Sequence, residues 1–472
     1  MKTSGRSLIT LITVFFFWGF VAASNDILIP VFKEKLHLEQ WQSQLVSFSF
    51  YIAYTVGALL YFFISRAIKK DILNNIGYKN GVSLGLLISA CGTLLFIPAA
   101  NLVSFGLMLS GLFIVGLGFS LQQTAANPLA INIGDPKKGA QRLSLAGGIN
   151  NIGTTIGPII VSFAIFGSVD SGSSSSDIEN LKIPYLILGL AFVLVAALFR
   201  FSSIPDRIIP VENEVKETSV SEKKNAFAFP ELWMGMIAIF VYVGVEVSTA
   251  GNLPDYLRQH HGMKTNEIAP FVSLFWASLM IGRWTAAVSA FKAKKMLNYF
   301  LRFVFPFLAF GLYLLINTIA KHDVSMFYYY PIAILILIVA DIVSKGNPAR
   351  QLLLFSILGI ISLLTGILTE GMISIYGFIS VGLFCSTLWP CIFSLSIAGL
   401  GKHTNQGSGL LVMMIMGGGI ISLIQGFLAK DELLGIQGSY LAGVVCFLYL
   451  AFYAVRAKSL LKAKGIDYDT KK

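Results

Sequence analysis

The chain has 472 residues, 55% of them hydrophobic and only 12% charged, with a formal net charge of +11. A soluble domain carries roughly 25% charged residues, so water is excluded as its main solvent. The apolar runs are continuous and about twenty residues long, which excludes a β-barrel with its alternating strands of about ten. The basic balance does not point to nucleic acid, because the charges lie in loops between apolar runs; the expected partner is the lipid bilayer. The mean hydropathy of +0.74 fits a polytopic helical membrane protein.

In chain order, Met1 to Thr10 is a short basic tip leading into the first apolar run, with no cleavable signal evident. Candidate spans fall near 8–31, 42–65, 81–100, 103–133, 141–166, 183–201, 230–257, 267–291, 297–320, 327–344, 351–369, 372–398, 406–428 and 437–455, about fourteen in all. If the N-terminus is cytoplasmic, 26 of the 35 Lys and Arg fall in inner loops and tails and 7 in outer loops. That asymmetry predicts both termini inside. The polar stretch Ser202 to Asn225 separates six spans from eight. It predicts an N-terminal half over 1–201, a cytoplasmic linker over 202–229 and a C-terminal half over 230–472. Two six-helix halves joined by such a linker are the plan of major facilitator transporters, parallel repeats with the solute bound at the midplane between them. Asn127-Pro128 and Trp389-Pro390 occupy corresponding spans, a weak sign of the pseudo-twofold symmetry. The surplus over twelve is a hairpin at about 297–344, which preserves the topology of everything after it. Cys91, Cys385, Cys391 and Cys446 sit singly in apolar runs and read as packing residues.

The most informative stretch runs from Gln122 to Pro158, QQTAANPLAINIGDPKKGAQRLSLAGGINNIGTTIGP. Gln122, Gln123 and Asn127 lie in one span, Asn150 and Asn151 in the next. Uncharged amides inside a membrane are costly to strand, so they face a bundle interior or a wet cavity. Hydrogen-bonding groups of this kind suit a polyhydroxylated, uncharged solute; they also serve as glue between packed helices, and both readings stand at this point.

At these residues the chain resembles the fucose–galactose–glucose:H+ symporters of the major facilitator superfamily. The matching stretches are WGFVAASNDILIP, IGYKNGVSLGLLISACGTLLFIPAA, QTAANP, RLSLAGGINNIGTTIGP, GVEVSTAGNLPDYL and LWPCIFSLSIAGLGKHTNQGSGLLVMMIMGGG. The resemblance implies an all-α sugar permease of a bacterial inner membrane, working by alternating access and monomeric. It implies a cation-coupling and sugar-binding role for Asp26, flanked by Asn25, and sugar contact for Asn150. Gln123 stands where the fucose permease has Glu. That departure puts fucose itself, and a proton scheme with two carboxylates, in doubt.

Ionisable residues within spans are candidates by default. Glu246 lies in the middle of its span, where a buried carboxyl can load and release a proton; ionised, it can instead ligate Na+ with oxygens such as Ser248 and Thr249. A protonated Glu hydrogen-bonding a neighbouring helix is the structural alternative. Arg283 reads as gating or helix-end packing. Asp71 is a fragment of the major facilitator gating motif, and Arg302 and Asp341 of the hairpin can pair. Trp276 and Trp389 are candidates for stacking on a sugar ring, the latter beside a helix-bending proline. His37, His260, His261, His322 and His403 are scattered without ligand spacing, and no phosphate-binding loop occurs, so neither an enzyme, a metal site nor ATP drive is expected. No cofactor is expected beyond the coupling ion. The reading is a symporter importing a neutral hexose with H+, against a Na+-coupled sugar symporter or an exporter of the same superfamily.

Overall fold

The computed structural model describes residues 8–20, 40–68, 70–133, 135, 138–166, 182–202, 226–263, 265–288, 295–320 and 322–469. Among these the chain is helical. The helices are α1 (Leu8–Phe20), α2 (Gln40–Ala67), α3 (Ile72–Ile76), α4 (Tyr78–Leu94), α5 (Phe96–Asn101), α6 (Phe105–Asn132), α7 (Gly139–Phe166) and α8 (Lys182–Arg200). They continue as α9 (Pro230–His261), α10 (Thr265–Ala287), α11 (Lys295–Ile319), α12 (Pro331–Ser344), α13 (Pro348–Leu368) and α14 (Gly371–Cys385). The last are α15 (Leu388–Ile397), α16 (Thr404–Met413), α17 (Gly417–Leu428), α18 (Gly435–Gly438) and α19 (Leu441–Ala463).

Ten stretches among the described residues are long and apolar enough to cross a membrane, and Leu8–Phe20 and Tyr185–Arg200 are shorter apolar helices. The helix ends follow local chemistry. Ser104 caps α6 by accepting from Leu107 N at 3.3 Å, and Asn347 caps α13 by accepting from Ala349 N and Arg350 N, with Pro348 at the first helical position. Gly262, at φ 63°, ends α9 in the left-handed conformation that suits glycine.

Contacts divide the chain into two compact units: Met1–Asp135 with Ile149–Val211 and Lys402–Met413, and Pro136–Gly148 with Glu212–Gly401 and Met414–Lys472. The first ten residues of α7, just under three turns, thus belong with the second unit, and α16 belongs with the first. Within each unit, small residues let backbones approach, as membrane helices require when lipid is as apolar as leucine. In the first unit α4 and α6 meet at Gly85 and Gly118, and again at Gly92 and Gly111, where an added Cβ would collide with the opposing backbone. In the second, Gly382 of α14 lies on Phe275 O of α10, and Gly377 of α14 lies on α13. Outward faces are apolar, as at Ile183, Leu194 and Leu198 of α8, and this is the surface that lipid covers.

The hairpin α11–α12 is tied into the second unit through charge. Arg302 Nη1 lies 2.9 Å from Asp341 Oδ2, both buried, and Gln351 Nε2 of α13 donates to Asp341 Oδ1 at 3.1 Å. After α19 the chain folds back. Lys464 pairs with the buried Glu231 at the start of α9, and its ammonium lies 4.8 Å from the centre of the Phe229 ring. Asp469 then accepts from Lys458 at 2.6 Å, Arg350 at 2.9 Å and Asn347 at 2.7 Å. Burial pushes the neighbouring Tyr468 hydroxyl up to about 12, against the opposing effect of its hydrogen bond with Ser394.

Candidate functional site

Three polar clusters stand out, and each lies within one unit. The first is built on α6 and α2. Gln123 and Asn127, four residues apart, share a face of α6. Gln123 Nε2 donates to Tyr54 OH of α2 at 3.1 Å, and Trp18 Nε1 of α1 donates to the same oxygen at 3.3 Å. Tyr54 accepts both, so its own proton is left for a further acceptor. Asn127 is 1% exposed, and its Nδ2 has no partner among the described residues. An aromatic wall backs the group: Phe50 lies 5.3 Å from Tyr54, and Phe119 lies 5.9 Å from both Trp18 and Phe50.

The other amides are placed differently. Gln122 points to α4 and donates to Ser89 Oγ at 3.0 Å. Asn150 Nδ2 donates to Phe15 O of α1 at 2.9 Å, where Gly19 gives it room. Asn151 is buried, and its carbonyl accepts from Thr154. The structure thus joins Gln123 with Tyr54 and Trp18 in one polar group, and Asn127 follows one turn further on the same face of α6. It gives Gln122 and Asn150 partners on neighbouring helices. Asn25 and Asp26 lie outside the described residues.

The second cluster belongs to the second unit. Tyr242 and Glu246, four apart on α9, are joined by a hydrogen bond from the phenol to Glu246 Oε2. The Tyr242 ring lies 6.3 Å from Trp389, which packs on Phe393 at 5.7 Å. Arg283 of α10 is within electrostatic reach of Glu246, and its Nε donates to Ser386 O at 3.2 Å. Ser248 Oγ, Thr249 Oγ1 and Thr387 Oγ1 are buried without a partner among the described residues. Only Thr249, three residues on, shares the face of Glu246. Trp276 stands apart: it is 45% exposed and meets Phe275 edge-on.

The third cluster surrounds Asp71, which caps α3 by accepting from Asn74 N at 2.9 Å. Its carboxylate also accepts from Tyr61 OH at 3.0 Å and from Asn405 Nδ2 at 2.9 Å, and Asn405 reaches Asn74 Oδ1 as well. Tyr78 OH donates to Asn405 Oδ1. Gly77, at φ 86°, makes the sharp turn from α3 into α4 that sets Tyr78 beside this group. Asn405 lies 334 residues from Asp71. Tyr78 and Asn405 lie in stretches that resemble the sugar permeases, but the sequence marks neither them nor Tyr61 as candidates, and no spacing rule links the three. Among the described residues no group of three or more His, Cys, Asp or Glu is placed to hold a metal ion.

Two hydrogen-bonding clusters and one half-buried carboxylate thus lie among apolar helices. Comparison with known proteins gives them a context. A glucose/galactose transporter of Brucella abortus is 32% identical over 458 residues, covering 96% of this chain and 94% of that protein. The L-fucose-proton symporter of Escherichia coli is 26% identical, covering 94% of this chain and 91% of its own length. The crystal structure of the transporter FucP in the outward conformation superposes with a TM-score of 0.72 at 24% identity, over 95% of this chain and 98% of that one, which establishes the fold. The model of the Major Facilitator Superfamily matches residues 9–344; the chain is a multi-pass membrane protein and belongs to that superfamily.

Proposed function

We infer that the protein is a secondary active transporter that imports a neutral hexose by symport with a proton, through alternating access in a bacterial inner membrane. The observation that carries the reading is the uncharged group Trp18–Tyr54–Gln123 with Asn127. It offers two unspent donors, the Tyr54 hydroxyl proton and Asn127 Nδ2, beside an aromatic wall. Sugar hydroxyls both accept and donate, and the apolar face of the ring packs on aromatic side chains. The names of the relatives, glucose/galactose transporter and L-fucose-proton symporter, point the same way.

In this reading Gln123, Asn127 and Asn150, with Asn25, Gln122 and Asn151 as further amides, recognise the solute, and Trp389 and Trp276 are the aromatic candidates. Asp26 and Glu246 are the coupling carboxylates, and Asp71 and Arg283 act in gating. The plan is two six-helix halves, residues 1–201 and 230–472, joined by the linker 202–229 and extended by the hairpin at about 297–344. Both termini are cytoplasmic, and the protein acts as a monomer. A Na+-coupled version has one observation in its favour, the partnerless hydroxyls of Ser248 and Thr249. Their directions diverge on the helix, which leaves one carboxylate and one hydroxyl, too few oxygens for a Na+ cage; H+ fits better.

Counterflow into proteoliposomes preloaded with glucose, galactose, mannose, fructose, fucose or N-acetylglucosamine tests the substrate without assuming the ion. A signal with one or two sugars is expected. Silence across the panel with folded protein overturns the hexose reading and favours an exporter. Imposed pH and Na+ gradients then separate the two couplings.

A further inference from the structure

The first ten residues of α7, Gly139–Gly148, are seated on the second unit by a side-chain hydrogen bond near each end. Near the start, the buried Gln141 donates from Nε2 to Gly346 O at 2.7 Å. At the far end, Trp284 Nε1 of α10 donates to Gly148 O at 3.2 Å. Glycine makes that second contact possible, since a Cβ at Gly148 would stand 2.8 Å from Trp284 Cδ1. From Ile149 onward α7 belongs with the first unit. Halves that rock about a central solute must open and close such a seat.

Gly346 O is presented by the turn between α12 and α13, and that turn is held from both sides. Lys345 and Gly346 are both left-handed, at φ 54° and 71°, a conformation that crowds the Cβ of the lysine. Ser344 steadies one side: its Oγ accepts from Gly346 N at 3.3 Å and its carbonyl accepts from Asn347 N at 3.0 Å. Asn347 steadies the other. Its Oδ1 caps α13, and its Nδ2 donates to Asp469 Oδ1 at 2.7 Å. Asp469 is fixed in turn by Arg350 and Lys458, and its own N–H donates to Asp467 Oδ1 at 2.8 Å. The N–H of Asn347 and the carbonyl of Gly346 belong to one planar peptide, so fixing Asn347 aims that carbonyl. A path of bonds therefore runs from the segment after α19, through Asn347 and one peptide plane, to the acceptor of Gln141.

We propose that the segment after α19 positions the seat of α7: Asp469, acting through Asn347, aims the Gly346 carbonyl at Gln141 and so sets how readily the first turns of α7 leave the second unit. The part this plays in transport rests on the symport reading above; the link between Asp469 and α7 does not. Asn347 and Asp469 are positioning residues, remote in their action from the solute. Without Asp469, the Asn347 side chain keeps the cap but loses its second anchor. The left-handed pair then relaxes and the carbonyl turns away from Gln141. Gln141 Oε1 has no partner among the described residues, so the hold of this amide on the second unit rests on the bond from Nε2.

Hydrogen–deuterium exchange of peptides covering 139–148, measured by mass spectrometry on the full chain in nanodiscs, reads the seat directly. Wild type is compared with Asp469→Ala, Gln141→Ala and the double variant. Each single variant is expected to speed exchange there about twofold to twelvefold, the range of one hydrogen bond, and the double variant no further than Gln141→Ala alone. Peptides at the start of α9, where Lys464 holds Glu231, should be unchanged, which separates a lost seat from general loosening. Asn347→Asp alone keeps the cap of α13 but faces Asp469 with a like charge, and should open the seat. Asn347→Asp with Asp469→Asn restores the bond with donor and acceptor exchanged, and should return exchange to near wild type. Unchanged exchange in Asp469→Ala, effects that add in the double variant, or no rescue by the exchanged pair overturns the link. The exchanged pair also decides if Gln141→Ala fails to fold. In counterflow, which needs no ion gradient, Asp469→Ala and Gln141→Ala are expected to change the rate by the same factor; an unchanged rate overturns the part in transport. Silence of the wild type with every sugar would instead refute the symport reading, and the exchange data would still decide the link.

Discussion

Pro128 of α6 and Pro390 of α15 each remove a helical donor, and the two units satisfy the freed carbonyl in different ways. In the first unit Pro128 removes the donor for Thr124 O, and Ser408 Oγ of α16 takes that carbonyl at 2.9 Å; α6 continues as one helix from Phe105 to Asn132. In the second, Pro390 frees Ser386 O, the helix breaks, and a guanidinium takes the carbonyl. A neutral hydroxyl serves one unit and a charge serves the other. Two of the polar clusters differ in the same sense, with amides, a phenol and an indole around Tyr54, and a carboxylate hydrogen-bonded to Tyr242 beside Trp389. Dipoles grade among similar neutral solutes, whereas a full charge responds to one proton. On the symport reading proposed above, the Tyr54 group would grade solutes and Glu246 would respond to the proton.

The comparison breaks most visibly at Glu246. A gradient of about two pH units drives about 100-fold accumulation with one coupled proton, at 1.36 kcal/mol per unit. Glu246→Gln is expected to bring accumulation to unity while counterflow survives at a reduced rate, and Asp26→Asn is expected to do the same. Normal accumulation in either variant removes that carboxylate from the coupling role. On the neutral side, Gln123→Ala and Tyr54→Phe each remove one hydrogen-bonding group. Their KM is expected to rise about twofold to twelvefold, the range of a neutral hydrogen bond of about 0.5–1.5 kcal/mol, with the pH midpoint of uptake unmoved. A shifted midpoint would erase the distinction between the units. The smallest effect on transport is expected in the hairpin. Arg302→Met alone strands a buried carboxylate and costs about 3–5 kcal/mol of stability, whereas Arg302→Met with Asp341→Leu recovers most of it. Melting curves measure both, and uptake by the double variant should match wild type; a transport defect in the stable double variant would give the hairpin a role in the cycle.

Composition and run length made the membrane class legible, because lipid admits few architectures. The superfamily was legible too, through stretches that resemble its sugar permeases. The pairing of Arg302 with Asp341 could be read from two charges in adjacent apolar runs, and the structure forms it. Which amide faces what was not legible. Gln122 and Gln123 are adjacent, yet one turns to Ser89 and the other to Tyr54; on a helix that is apolar almost all round, periodicity does not choose a face. Asn405 was hidden for a different reason. Its partners Asp71, Asn74 and Tyr78 come to it only through the tertiary packing of α16. Pro390 announced a bend, but the donor that captures its freed carbonyl lies more than a hundred residues away.

The fold-back after α19 has a practical consequence for anyone handling the protein. Lys458 holds the Asp469 carboxyl below the usual carboxylate range, with Arg350 and Asn347 adding to the effect. A carboxylate whose value is depressed on folding contributes above its ordinary value near 3.9 and loses that contribution only as the pH falls through the depressed one. The clasp is thus closed at any pH a cell or a buffer normally presents. The clasp joins α13 to α19 through Asn347, Arg350 and Lys458, so a pull on the segment that follows α19 is carried into two helices of the second unit.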